Sequence, residues 1–208
     1  MRKFLLIDDH FVVRSGTRGL LYELFKPCEV DEAFDGTSAI EKIKKNSYDL
    51  VMMDVKMPNT DTFGLMEHIH IRYPDLKVLV FSMSGENIYA KRFLKAGAMG
   101  FLSKESSPEE IQKAITLILN GRKYISNSLA IILAEESFSD KPANVFSKLS
   151  IREFEIASLL LAGQSLSEIS KTLNLQASTV GTHKARLFEK LGITNILELK
   201  ELATAYNL

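Results

Sequence analysis

Phe4-Leu5-Leu6-Ile7-Asp8-Asp9 sets an unbroken apolar run against two carboxylates, and the arrangement returns along the first half of the chain. Leu50-Val51-Met52-Met53 leads into Asp54, Val78-Leu79-Val80-Phe81 into Ser82, and Met99 to Leu102 comes shortly before Lys104. Apolar runs of this length, alternating with helix-like segments, mark parallel strands covered on both faces. In an open parallel sheet, ligands bind outside the carboxyl ends of the strands. Asp8, Asp9, Asp54, Ser82 and Lys104 are therefore predicted to converge at one sheet edge. That edge is a site.

Working outward, the runs predict strands near 3–8, 29–34, 49–54, 77–82 and 99–103, with helices near 10–26, 36–46, 61–73, 86–96 and 107–121. The 36–46 segment begins Asp35-Gly36-Thr37 and places Ala39, Ile40 and Ile43 on one stripe. The 107–121 segment starts with Ser107 as N-cap, Pro108 at the first helical position and Glu109-Glu110 at the positive end of the dipole. It stops at Gly121. Strands alternating with helices predict a doubly wound, five-stranded parallel sheet with right-handed crossovers.

Past residue 122 the pattern changes. Ser126 to Phe138 reads as a short helix, and Ser139-Asp140-Lys141-Pro142-Ala143-Asn144 as a linker. Residues 147–208 hold no strand-like run. Ser150 as N-cap and Glu153 three residues on form a capping box, followed by the stripe Phe154, Ile156, Ala157, Leu160 and Leu161 up to Gly163. Helices near 165–172, 177–191 and 195–206, with a break around Asn174, complete a small all-α unit. The expected division is 1–122, a connecting segment 123–146, and 147–208.

Bulk composition narrows the class without naming it. Of the 208 residues, 46% are hydrophobic and 25% charged, ordinary for a globular protein, and the formal net charge is zero. No apolar stretch approaches the ~18 residues of a membrane span. The N-terminus meets Asp8 too early for a secretory signal. A lone cysteine, Cys28, forms no internal disulfide, which fits a reducing cytoplasm.

Each polar residue at the edge has an everyday reading when taken alone. Asp9 can cap the helix that follows, Asp8 can be a solvated strand end, and Asp54 can cap a loop; Ser82 can be loop polarity and Lys104 a surface lysine. Convergence changes the reading. Carboxylates brought together repel and stay ionised only if a cation joins them, and Mg²⁺ suits an oxygen-rich, half-hydrated site. A carboxylate so placed can act as nucleophile toward a phosphoryl group. A hydroxyl and an ammonium then hold phosphoryl oxygens and offset the added charge.

Ile7-Asp8-Asp9-His10, Asp54-Val55-Lys56-Met57-Pro58, Ser82 and Gly97-Ala98-Met99-Gly100-Phe101-Leu102-Ser103-Lys104 resemble, in order and spacing, a response-regulator receiver domain over residues 1–122. The resemblance implies a flavodoxin-like α/β fold in which Asp54 accepts a phosphoryl group from a sensor histidine kinase. It implies that Asp8, Asp9, Asp54 and the backbone carbonyl of Lys56 bind Mg²⁺. Ser82 and Lys104 would then hold the phosphoryl oxygens, and Phe101 would stand at the aromatic switch position. By spacing alone Phe101 reads equally as a core aromatic. Thr62 follows Asp61 where receivers usually carry glycine, and Gly64 comes two residues later. An aspartyl-phosphate hydrolase of the haloacid-dehalogenase type would need a second Asp two residues after the nucleophile. Here that position is Lys56, which cannot serve as such an acid, so the pocket reads as a switch with at most slow self-hydrolysis.

In the second unit, Leu149-Ser150-Ile151-Arg152-Glu153, Gly163, Glu168-Ile169, Leu173, Thr179-Val180, His183 and Lys190-Leu191-Gly192 resemble the LuxR-type helix-turn-helix. With the receiver ahead of it, the chain is similar to a NarL/FixJ-family two-component response regulator. The resemblance makes 177–191 the recognition helix, with Thr179, Thr182, Lys184, Arg186 and Lys190 as candidate contacts to double-stranded DNA. Val180 reads as core, and His183 as either structural or DNA-facing. Gly181 and Ala185 stand where relatives often carry polar or basic side chains, and Ile151 replaces a usual proline.

Residues 147–208 carry seven Lys and Arg against six Asp and Glu. Phosphate neutralisation supplies most non-specific affinity, so one copy is expected to bind duplex weakly and a homodimer on an inverted repeat to bind it better. Ile196, Leu199, Leu202 and Ala203 offer a candidate dimer stripe, or else a face packed within the domain. The competing expectation is a receiver-controlled module whose helical domain binds protein rather than DNA.

Overall fold

A computed structural model describes residues 1–57, 60–83, 86–138 and 145–206. Contacts divide the chain into two compact units, Met1–Leu133 and Ala134–Leu208. The expected linker 139–144 lies outside the described residues, as does Pro58.

In the first unit the strands are β1 (Arg2–Ile7), β2 (Cys28–Ala33), β3 (Leu50–Met53), β4 (Val78–Ser82) and β5 (Gly100–Ser103). Between and after them come α1 (Phe11–Leu24), α2 (Gly36–Lys45), α3 (Thr62–Arg72), α4 (Glu86–Lys95) and α5 (Pro108–Leu119). All strand pairs are parallel, in the order β2-β1-β3-β4-β5. The doubly wound sheet is the one expected. β3 and β4 are buried along their whole length, as unbroken apolar runs require when helices cover both faces.

The strand order reverses between β1 and β3, and this is where the site forms. Met53 is in register with Ile7, so the residues just past each, Asp54 and Asp8, emerge side by side. Asp54 N–H still donates to Ile7 O at 2.8 Å, and Asp8 N–H to Ala33 O at 3.1 Å. Both carboxylates thus leave from tethered backbone.

Local signals act as expected at several helix starts. Asp35 and Ser38 form a reciprocal capping box on α2, and Ser107 caps α5 with Pro108 behind it. Gly97 adopts φ +108°, and a Cβ there would come within 2.4 Å of the His70 ring, so this turn before β5 needs glycine. Asp9 departs from its everyday reading. The N-cap of α1 is His10, whose N–H bonds to Asp8 Oδ1 at 2.8 Å, and not Asp9.

α6 (Asn127–Phe138) follows α5. In the second unit a 3₁₀ turn at Val145–Lys148, which the sequence pattern did not predict, precedes α7 (Ile151–Leu161), α8 (Leu166–Thr172), α9 (Ala177–Leu191) and α10 (Ile196–Ala205). Ser150 and Glu153 form the expected capping box. Between α8 and α9, Asn174 takes φ +51°, a left-handed turn that Asn tolerates. Phe146, Phe154, Ile156, Ala157, Ile169, Val180, Leu187 and Leu199 are buried. The α10 stripe is divided: Leu199 and Ala203 fill the domain's own core, Leu202 is half-buried and Ile196 stays exposed.

Candidate functional site

Asp54 is the hub of the strand-end pocket. Its Oδ1 accepts from Ser82 Oγ at 2.6 Å and from Val55 N–H at 2.6 Å, with Lys56 N–H at 3.4 Å. Its Oδ2 faces Lys104 Nζ at 2.6 Å, and the same ammonium reaches Asp8 Oδ2 at 2.5 Å. Asp8, Asp54 and Ser82 are buried. Burial pulls the Lys104 pKa down, but hydrogen bonds to Asp54 and Asp8 outweigh it and the net shift is upward. The ammonium stays charged. The five predicted residues do converge, from the ends of β1, β3, β4 and β5.

Carboxylate crowding is incompletely relieved by Lys104. Ligand atoms of Asp8, Asp9, His10 and Asp54 all lie within 4.8 Å of one another. Asp9 Oδ1 is buried with no hydrogen-bond partner among the described residues. His10 Nδ1 stands 3.0 Å away, an attraction that needs a protonated ring. An orphaned acceptor among three carboxylates fits a hard divalent cation with oxygen preference. Phe101 is wholly buried on β5, in register with Val80.

Two supporting residues escaped the sequence reading. Arg14 Nη1 donates to the Asp8 carbonyl at 2.6 Å while its Nε pairs with Glu32 at 3.0 Å, pinning the β1–α1 turn that aims Asp8 and Asp9. The signal was available: Arg14 sits on the same stripe as buried Thr17 and Leu21, and a charge on a buried face needs a reason. Thr62, seen only as a departure from glycine, donates its hydroxyl to Val55 O at 2.8 Å and is buried. It ties the start of α3 to the residue after Asp54. Asp61 caps α3 through Gly64 N–H at 2.6 Å.

On α9, Val180 and Leu187 turn into the core while Thr182, Ala185 and Arg186 are exposed; Thr179 and Lys184 are half-buried. Thr182 Oγ1 donates to Ser178 O at 3.0 Å, and Lys184 Nζ lies 5.2 Å from the Phe188 ring centroid. Lys190 behaves differently from the other candidates. Its Nζ pairs at 2.7 Å with Glu153 Oε2, on a carboxylate that is 3% exposed. Burial pushes the Glu153 carboxyl up, but Lys190 and the Ser150 N–H outweigh it, so the net shift is downward. His183 Nδ1 is buried with no partner among the described residues.

Residues 4–116 match the family described as the response regulator receiver domain, and residues 147–203 the luxR family of bacterial regulatory proteins. The chain is 34% identical to response regulator UvrY of Escherichia coli (strain K12), over 100% of this chain and 96% of that one. It is 35% identical to response regulator GacA of Pseudomonas syringae pv. syringae (strain B728a), over 100% and 98%. Among solved structures it resembles RcsB of Salmonella enterica serovar Typhimurium bound to promoter rprA with the phosphomimetic BeF3-. The TM-score is 0.76 and the identity 25%, covering 98% of each chain.

Proposed function

The chain belongs to the NarL/FixJ family of two-component response regulators, and from that premise we propose that phosphorylation of Asp54 by a sensor histidine kinase gates the binding of α9 to DNA. The observation that carries this reading is the pairing of Asp54 with both Ser82 and Lys104, each at 2.6 Å, from the ends of two other strands. In the transfer, an Asp54 carboxylate oxygen attacks phosphorus, the bond to the kinase histidine breaks, and an acyl phosphate forms.

Asp8, Asp9, Asp54 and the Lys56 carbonyl would hold Mg²⁺, which supplies divalent charge to offset the crowded carboxylates and the incoming phosphoryl group. The chain's own residues do the rest. Lys104, already charged, moves its partnership from a carboxylate oxygen to a phosphoryl oxygen. Ser82 follows outward with its hydroxyl, and the space it vacates is open to Phe101 of β5. Arg14 and Thr62 keep the two flanking turns in place while this happens. The shift biases an existing equilibrium between two receiver states rather than creating a new one. Self-hydrolysis of the acyl phosphate is slow, since the position two residues after Asp54 is Lys56 and offers no general base.

We place the receiver at 1–122 and the DNA-binding domain at 147–208, working in the cytoplasm. Thr179, Thr182, Lys184 and Arg186 are the proposed DNA contacts; Lys190 joins them only by leaving Glu153. The near-balanced charge of residues 147–208 favours a homodimer on an inverted repeat, where two half-sites one helical turn apart double the contacts.

Two experiments test the reading. Asp54→Ala should abolish phosphoryl uptake from a small phosphodonor while the protein remains folded; full uptake would overturn the assignment. Selection from a pool of genomic duplexes, at fixed salt, should enrich an inverted repeat more strongly with Mg²⁺ and beryllofluoride. No enrichment in either condition would move the helical domain to a protein partner, the reading that Gly181, Ala185 and the Lys190–Glu153 pair favour.

A further inference from the structure

The segment that follows α5 is tied back to its own unit at three points. Tyr124 N–H donates to Met99 O at 2.8 Å, setting Tyr124 in a parallel bridge beside Gly100 on β5. The Tyr124 ring is buried, and its hydroxyl donates to Glu110 Oε1 on α5. Beyond it, Ser126 Oγ donates to Glu86 Oε1 at 2.6 Å and Ser128 Oγ to Glu86 Oε2 at 2.6 Å. Both oxygens of one α4 carboxylate therefore grip the first turn of α6.

Helix capping does not account for this grip. Ser126 Oγ accepts from Leu129 N–H at 3.0 Å, so the cap of α6 is already made without Glu86. Ser128 has no part in the cap, yet its hydroxyl faces the same carboxylate. Hydrogen bonds to an ionised acceptor are of the stronger class, and these two join elements that have no other reason to share a carboxylate.

The position of Glu86 gives the grip a consequence. It is the first residue of α4, four residues along the chain from Ser82. Ser82 Oγ is bonded to Asp54 Oδ1. A phosphoryl group on Asp54 places the next acceptor oxygen farther from the carboxyl carbon, so Ser82 must travel to keep a partner. A latch at Glu86 requires that travel to reach the head of α4. Ser126 and Ser128 are instead tethered by Tyr124, which is bonded to Met99 O and to Glu110.

We propose that Glu86, Ser126 and Ser128 form a latch on α6 that is closed while Asp54 is bare and opened by its phosphorylation. The proposal rests on the reading of Asp54 as the phosphoacceptor. It names the point at which a change in the pocket first reaches the segment leading to the second unit. Opening removes two charge-assisted bonds and frees the first turn of α6.

Amide hydrogen exchange on the full chain tests the latch, with Mg²⁺ and beryllofluoride as the phosphoryl mimic. Glu86→Ala and Ser128→Ala are the variants; Ser126 is left alone because it also caps α6. In the wild type, amides 129–133 should exchange roughly tenfold faster, or more, once the mimic is added. In Glu86→Ala, which loses both bonds, they should exchange fast without the mimic and gain nothing from it. In Ser128→Ala, which keeps the Ser126 bond, they should start between the two and gain less than the wild type, while Val55 and Lys56 respond to the mimic in all proteins. Wild-type amides 129–133 that ignore the mimic while Val55 and Lys56 respond would overturn the latch and spare the phosphoacceptor. Variants that keep the slow wild-type exchange would overturn it too. Val55 and Lys56 that fail to respond would bring down the phosphoacceptor reading and the latch together. Ser128 is exposed, so Ser128→Ala leaves the core intact and keeps the test valid if Glu86→Ala perturbs α4.

Discussion

Lys104 Nζ stands 2.6 Å from Asp54 Oδ2 and 2.5 Å from Asp8 Oδ2, so one ammonium serves two buried carboxylates that repel each other. Lys104→Met removes that shared charge without changing the backbone. Phosphoryl uptake by Asp54 should fall by roughly 10²-fold, the typical effect of deleting one charge-stabilising donor. Mg²⁺ binding should hold or tighten, because the carboxylates lose a competing cation. Phosphate incorporation and isothermal titration check the two halves separately. Unchanged uptake would place Lys104 outside the chemistry.

Thr62 supplies what a glycine at its position could not, a hydroxyl bonded to Val55 O at 2.8 Å in a buried setting. Thr62→Val keeps the volume and deletes the donor. It should cost about 1–3 kcal/mol, the range for leaving a buried polar group without its partner. Thr62→Ser, which keeps the hydroxyl, should lose less. The urea midpoint of the first unit reads the difference. A larger loss in Thr62→Ser than in Thr62→Val would mean that the methyl packing of Thr62, and not its hydroxyl, holds the turn.

The sheet was legible because its signal is redundant. Buried parallel strands demand unbroken apolar runs, and the residue that ends each run, Asp8, Asp54 or Ser82, is placed by register once neighbouring strands pair. Helix starts at Asp35, Ser107 and Ser150 were legible because capping is local. The links that cross between elements were not. Nothing within a few residues of Glu86 points to Ser126 or Ser128, and nothing near Lys190 points to Glu153, since each pair meets only after the chain has folded. The everyday cap reading of Asp9 shows the same limit: its place before α1 suits a cap, but the N-cap is His10, whose N–H bonds to Asp8 Oδ1. The α10 stripe was ambiguous in the same way, because periodicity marks an apolar face without naming what covers it.

The Glu153 carboxyl sits below its ordinary value because the bonds from Lys190 and Ser150 outweigh the effect of burial. A lowered folded-state value stabilises the domain above the unfolded pKa of about 4.3, and the gain is lost as pH falls through the folded value. Lys190 is partly exposed and Ser150 N–H still bonds the carboxylate, so Lys190→Ala should cost about 0.5–1 kcal/mol near neutral pH. The cost should shrink as pH falls below the unfolded value and through the lowered folded one, and vanish once Glu153 is protonated in both proteins. Thermal melts across pH 3–7 follow it. A penalty that stays constant across that range would show that Lys190 acts through its aliphatic stem and not through the ion pair.

Gly181 lies within α9, four residues before exposed Ala185, and a Cβ built there meets nothing within 4 Å. Glycine inside a helix costs up to ~1 kcal/mol relative to alanine, so Gly181→Ala should stabilise the second unit by about that amount, with duplex affinity little changed. Gly181→Lys adds a cation to the face that carries Thr182 and Arg186. If that face meets the DNA backbone, duplex affinity should rise at low salt. The slope of log affinity against log salt should then steepen by roughly 0.9 for each added phosphate contact. Arg186→Ala should move both quantities the opposite way. The pair of variants separates recognition from folding, because Gly181→Ala and Gly181→Lys fill the same open space and differ mainly in charge. A slope that Gly181→Lys and Arg186→Ala both leave unmoved would mean that α9 presents this face to something other than a polyanion.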